Sequence, residues 1–82
     1  MRKPLIAANW KMYKTISEAD DFVKQFVPLV KDVTDVDKLI APPFTSLNAV
    51  ATAAAGSGII VAAQDVFYEE QGAFTGEISP GM

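Results

Sequence analysis

The chain has 82 residues, 50% of them hydrophobic and 21% charged, with a net charge of −3; this is one small globular domain at most and not a disordered chain. It has no cysteine and no histidine, which excludes disulfide stapling, cysteine-based metal sites and the commonest general acid–base residue. Its seven basic residues are spread without a cluster, which argues against nucleic acid as a partner. No apolar run approaches the ~20 residues of a membrane span. The basic start Met1-Arg2-Lys3-Pro4 leads into an apolar stretch that breaks at Asn9, after about five residues, too short for the core of a signal peptide. The expected location is the cytoplasm.

The first element is an apolar run from Leu5 to about Trp10, the pattern of a buried parallel strand. It ends in Asn9 and Lys11, polar side chains at the C-terminal tip, where open α/β sheets and barrels place their ligands. An ammonium there is a point charge suited to phosphate or carboxylate. A loop over Met12-Tyr13-Lys14 follows, and Thr15-Ile16-Ser17-Glu18 has the form of a capping box. Ile16, Ala19, Phe22, Val23, Phe26, Val27 and Val30 then recur at helical spacing. Asp20 and Asp21 are expected in the first turn and Lys31 near the end, matching the helix dipole. Asp20 and Lys24 offer an i,i+4 pair, and Pro28 should kink the last turn.

Lys38-Leu39-Ile40-Ala41 predicts a second strand, stopped by Pro42-Pro43. An alanine-rich helix follows from about Phe44 to Ala55, with Gly56 as its stop. A third strand is predicted over Ile59–Asp65. The segment from Val66 to Ser79 reads as a loop, long enough that a functional role is expected. Ser79-Pro80 announces a third helix, an N-cap before a proline at the first helical position. The sequence stops two residues later, the pattern expected of a fragment.

The fold class is α/β: three parallel strands and two helices in βαβαβ order, plus the start of a third helix, one segment over residues 1–82. All three strands are nearly continuous apolar runs, so both sheet faces need cover. Two helices can cover one face; the other has nothing in the sequence to meet. Both edge strands expose unpaired backbone groups, a template for association. Trp10 and Phe44 read as packing residues, and Glu69-Glu70 as plain surface.

Four motifs, Ala8-Asn9-Trp10-Lys11-Met12, Pro42-Pro43-Phe44-Thr45, Ala63-Gln64-Asp65 and Gly72-Ala73-Phe74-Thr75-Gly76-Glu77-Ile78-Ser79, resemble the N-terminal motifs of the triosephosphate isomerase family, in its order and at its spacing. The resemblance covers the whole chain, with Asp65 departing from the asparagine often found there. It implies a (β/α)8 TIM barrel of ~250 residues, of which this chain would be the N-terminal third. It implies glycolytic interconversion of dihydroxyacetone phosphate and glyceraldehyde 3-phosphate by the intact enzyme, with no metal and no organic cofactor. In the family a glutamate base and a neutral histidine electrophile run the chemistry. Neither matches a residue here, so the chain is expected to be inactive by itself.

By the same resemblance Asn9 and Lys11 are substrate-binding residues, with Lys11 in an electrostatic catalytic role toward the triose phosphate and its enediolate. Met12, Thr45, Gln64, Phe74, Thr75 and Gly76 are implied at a dimer interface, where the loop of residues 72–79 enters a pocket on the other subunit. Glu77 is implied as the ion-pair partner of an arginine absent from this sequence. The expected partner is a second copy of the chain, through that loop and the strand edges. Two other readings stand beside this one. The chain could regain turnover with a second chain that supplies the rest of a barrel. Alternatively, it is an independent βαβαβ anion-binding module using Lys11, although the glycine-rich phosphate turn expected after the first strand is missing.

Overall fold

A computed structural model describes residues 2–82; Met1 lies outside them. Five elements alternate: β1 (Leu5–Asn9), α1 (Ile16–Val30), β2 (Asp37–Ala41), α2 (Phe44–Ala53) and β3 (Ile60–Val61). The strands form one parallel sheet in the order β1-β2-β3. The sheet is open, with β1 and β3 as its edges.

The register assigns each residue to a face. Leu5, Ala7 and Asn9 lie beside Asp37, Leu39 and Ala41, and Leu39 lies beside Ile60. Ile6 and Ala8 lie beside Lys38 and Ile40, and Ile40 beside Val61. Alternation along a strand puts these two sets on opposite faces. The second set faces the helices. There Ile40 joins Ala19 and Val23 of α1, Val50 and Ala54 from α2 and its cap, and Ile59 in one buried core. The first set has no helix over it, and Leu5 and Ile60 stay 54% and 44% exposed.

The helices form for local reasons. Glu18 reaches back to Thr15, its carboxylate accepting from the Thr15 N–H at 2.9 Å and from the Thr15 hydroxyl at 2.9 Å. That is the capping-box pairing expected from the sequence. The Lys24–Asp20 ion pair closes at 2.7 Å. Asp20 and Asp21, expected in the first turn, fall in the next one; the first-turn acid is Glu18. α1 continues past Pro28 to Val30. At its C-terminus, Lys38 of β2 donates from Nζ to the carbonyl of Val30, the last helical residue, and to that of Val33 in the following turn, so this β2 cation joins the cap residue Lys31 at the negative end of the dipole.

Two boundaries differ from expectation. α2 ends at Ala53, and the chain turns through Ser57, with Gly56 and Gly58 on either side of it at positive φ. β3 keeps only Ile60–Val61 of the expected Ile59–Asp65. The reason lies in its neighbour. β2 runs into Pro42-Pro43, and the Ala41 carbonyl is taken by the Trp10 N–H at 3.0 Å and by the Gln64 side chain at 2.9 Å. No further backbone partner is offered to β3 beyond the Ala62 N–H to Ile40 carbonyl bond.

Trp10 packs as expected, edge-on to Phe22 at 5.3 Å, with Phe26 stacked behind at 5.4 Å. Phe44 does not; it lies off the buried Ser46–Val50 stripe of α2 and is exposed. The long loop folds on itself. Phe67 meets both Tyr68 and Phe74 at 4.5 Å, and the Phe67 N–H donates to the Ile78 carbonyl at 2.7 Å. The expected start of a third helix does not form a helix among the described residues; it is a single hydrogen-bonded turn, the Met82 N–H donating to the Ser79 carbonyl at 3.1 Å. Among the described residues no helix is long and apolar enough to cross a membrane.

Candidate functional site

The C-terminal tip of β1 carries the most constrained backbone near the sheet. Asn9 is the last strand residue, and its Oδ1 accepts from the Lys11 N–H at 2.9 Å. The Tyr13 N–H donates to the Trp10 carbonyl at 3.1 Å, closing a four-residue turn with Lys11 at its second position. Lys11 has φ +57, a value glycine ordinarily supplies at a turn. A lysine held there costs on the order of 1–3 kcal/mol and persists only where its surroundings over-determine it.

The surroundings are identifiable. Asn9 fixes the Lys11 N–H from below. Gln64, three residues past β3, donates from Nε2 to the Lys11 carbonyl at 2.9 Å and to the Ala41 carbonyl at 2.9 Å. One side-chain amide therefore ties together the ends of all three strands. The polar groups of the Lys11 peptide are both satisfied within the fold, and Lys11 itself lies exposed. The corner thus presents a cation on a held backbone, with the Asn9 side-chain amide beside it. Such an arrangement can bind and orient an anionic group. It contains no histidine, the commonest general acid–base residue, because the chain has none. Among the described residues no cluster of three or more His, Cys, Asp or Glu is placed to hold a metal ion.

The residues expected at an interface fall into three places. Gln64 belongs to the corner itself. Met12 and Thr45 share an open cleft of about 440 Å³ with Tyr13, Lys14 and Pro43, and Met12 is 97% exposed. Phe74, Thr75 and Gly76 lie on the self-folded loop, all exposed, with Gly76 at φ +81. Asp65 spends its Oδ1 locally, accepting from the Val66 N–H at 2.8 Å. Glu77 is exposed. The sequence places Asn9 and Lys11 at the end of the first strand, but it shows neither the left-handed backbone nor the strand tie by Gln64. A glutamine after a strand carries no sign of which carbonyls it will reach.

The family model for triosephosphate isomerase matches residues 4–82. The chain is 60% identical to the triosephosphate isomerase of Geobacter metallireducens, 57% to that of Clostridium beijerinckii and 55% to that of Trichlorobacter lovleyi. Each match covers all 82 residues of the chain and 33% of the relative. The chain thus spans about a third of the length of the curated relatives it matches.

Proposed function

The chain belongs to the triosephosphate isomerase family, and from that premise we propose that it supplies the anion-facing lysine corner of a triose phosphate isomerase and does not isomerise substrate alone. Lys11 acts by electrostatics, stabilising the phosphate-bearing substrate and the negative charge that develops on the enediolate oxygen. Asn9 holds the Lys11 backbone and offers its amide to the substrate. Proton transfer needs a base and an electrophile within about 3 Å of the reacting atoms, and these come from outside this sequence. The observation that carries the reading is the left-handed Lys11 at the tip of β1, fixed by Asn9 and Gln64.

The same reading covers the open sheet with a second copy of the chain. Leu5 and Ile60 are exposed on the helix-free face, and β1 and β3 have free edges. Burial in a chain this small barely offsets its ordering entropy even with a complete core, so association is the expected route to cooperative folding. The loop of residues 72–79 and the cleft at Met12 and Thr45 are the proposed contacts, in the cytoplasm and without cofactor, nucleic acid or membrane.

The experiment mixes the chain with the remaining two-thirds of the Geobacter metallireducens relative and follows triose phosphate interconversion. The chain alone is expected to show no turnover, and the mixture turnover that Lys11→Ala abolishes. Turnover by the chain alone, or turnover in the mixture indifferent to Lys11→Ala, overturns the assignment. Light scattering on the chain alone decides association: a mass above 8.8 kDa supports it, and a cooperatively melting monomer refutes it.

A further inference from the structure

Ser46 has no part in the corner as described, yet it is a fully buried polar residue, 0% exposed, in the first turn of α2. A buried hydroxyl needs an acceptor. The one it finds lies thirty-two residues back, the Lys14 carbonyl at 2.8 Å. Lys14 is the second non-glycine residue with positive φ, at +80. Its ammonium lies over the Phe22 ring, 5.5 Å from the centroid.

Lys14 is the joint between the lysine corner and α1. The next residue, Thr15, is the N-cap, and its N–H and hydroxyl are both held by Glu18. Beyond it, α1 is anchored in the core through Ala19 and Val23. The loop that carries Lys11 and runs on to Lys14 is therefore held at two left-handed residues by two distant side chains. Gln64 takes the Lys11 carbonyl and Ser46 takes the Lys14 carbonyl. Without the Ser46 tether, Lys14 is free to return to the negative φ that lysine prefers. With α1 pinned downstream, that rotation has to be taken up by the turn upstream.

We infer that Ser46 is a positioning residue for Lys11: through the Lys14 carbonyl, its buried hydroxyl holds the turn that presents the Lys11 ammonium to a phosphate-class anion. The anion rests on the reading of Lys11 given above; the mechanical link from Ser46 to Lys11 does not.

The test is a double-mutant cycle on the 15N-labelled 82-residue chain. Ser46→Cys keeps the shape of the side chain with a slightly larger atom in the buried site and exchanges the hydroxyl for a weak donor. Lys14→Gly makes a positive φ ordinary and the tether unnecessary. The readouts are the amide shifts and HN–Hα couplings of Lys11 and Lys14, and the affinity for inorganic phosphate followed at Lys11. Ser46→Cys is expected to move the Lys11 signals and to weaken phosphate binding about threefold or more, while on the Lys14→Gly background the same change has less than about a third of that effect. Equal effects in both backgrounds, or an unmoved Lys11, overturn the proposal. If Ser46→Cys prevents folding, recovery by Lys14→Gly supports it and failure to recover overturns it. A parent chain whose Lys11 ignores phosphate removes the anion reading, and the Lys11 shifts across the cycle still decide the role of Ser46.

Discussion

The two faces of the sheet are built from the same kind of residue and end in opposite states. On one, Ile40 meets Val23 and Val50 in a closed core. On the other, Leu5 and Ile60 have no helix above them. The contrast shows that strand composition does not decide burial here; cover does, and Ile6 on the helix side of the edge strand β1, 63% exposed, lacks it as well. Right-handed crossovers place both helices on one side, and the other side waits for whatever closes the wall. The lysine corner sits at the rim where these two regions meet. Asn9 belongs to the open-face set, while the loop behind it is packed through Trp10 and Phe22 on the helix side.

The sharpest way to break the comparison is one truncation on each face. Val50→Ala empties space in a fully buried site and should destabilise by roughly 2–4 kcal/mol, enough to abolish a cooperative melt in a chain of this size. Ile60→Ala at low protein concentration should change stability by no more than about 0.5 kcal/mol. Thermal melts by circular dichroism decide it. An Ile60→Ala loss that grows with protein concentration would mean that a second copy covers the open face.

The tie across the strand ends sets the next scale. Gln64→Leu removes two hydrogen bonds, to Lys11 and Ala41, at a cost of about 1–2 kcal/mol. Urea unfolding measures the loss. Faster amide exchange is expected at Lys11 and Tyr13 but not at Val23 or Val50, because the rim loosens while the core stays packed. Uniform acceleration across the chain would show that Gln64 supports the whole sheet rather than its tip.

Lys11→Gly should act in the opposite direction. Removing the side chain at φ +57 relieves left-handed strain, and the chain is expected to gain roughly 0.5–1 kcal/mol after the entropy of glycine is counted. The same change deletes the cation. A variant that is more stable and blind to phosphate would mark the corner as a place where stability is given up for function. A destabilised Lys11→Gly would show instead that the lysine side chain itself supports the turn.

Local interactions were legible in the sequence and distant ones were not. The Thr15–Glu18 box and the Asp20–Lys24 pair lie within one helical turn, and both are in place. Asn9 and Lys11 stood out because polar side chains ended an apolar strand. β3 is shorter than its apolar run because that run says nothing of where β2 stops offering partners. The left-handed backbone at Lys11 and Lys14 was invisible because glycine, its usual sign, is absent from both positions. Gln64 and Ser46 reach carbonyls 53, 23 and 32 residues away, and no spacing rule links such pairs.

The smallest expected effect lies at the seam between the packed helix and the lysine loop. The Glu18 carboxyl is held below its ordinary value of 4.5, first by the Thr15 N–H, then by the Thr15 hydroxyl and by the Lys14 charge. Its folded-state pKa is depressed, so its contribution to stability is fully present above pH 4.5 and is lost as the pH falls from there through the lowered folded value. Glu18→Gln keeps an oxygen for Thr15 but does not titrate. It should therefore be slightly less stable than the parent at neutral pH and converge with it in acid. The ion pairs of Asp20 and Asp37 are the same in both proteins, so the difference between the two melting curves against pH isolates Glu18. Curves that stay parallel through the acid range would place the acid sensitivity outside the N-cap that Ser46 and Lys14 lead into.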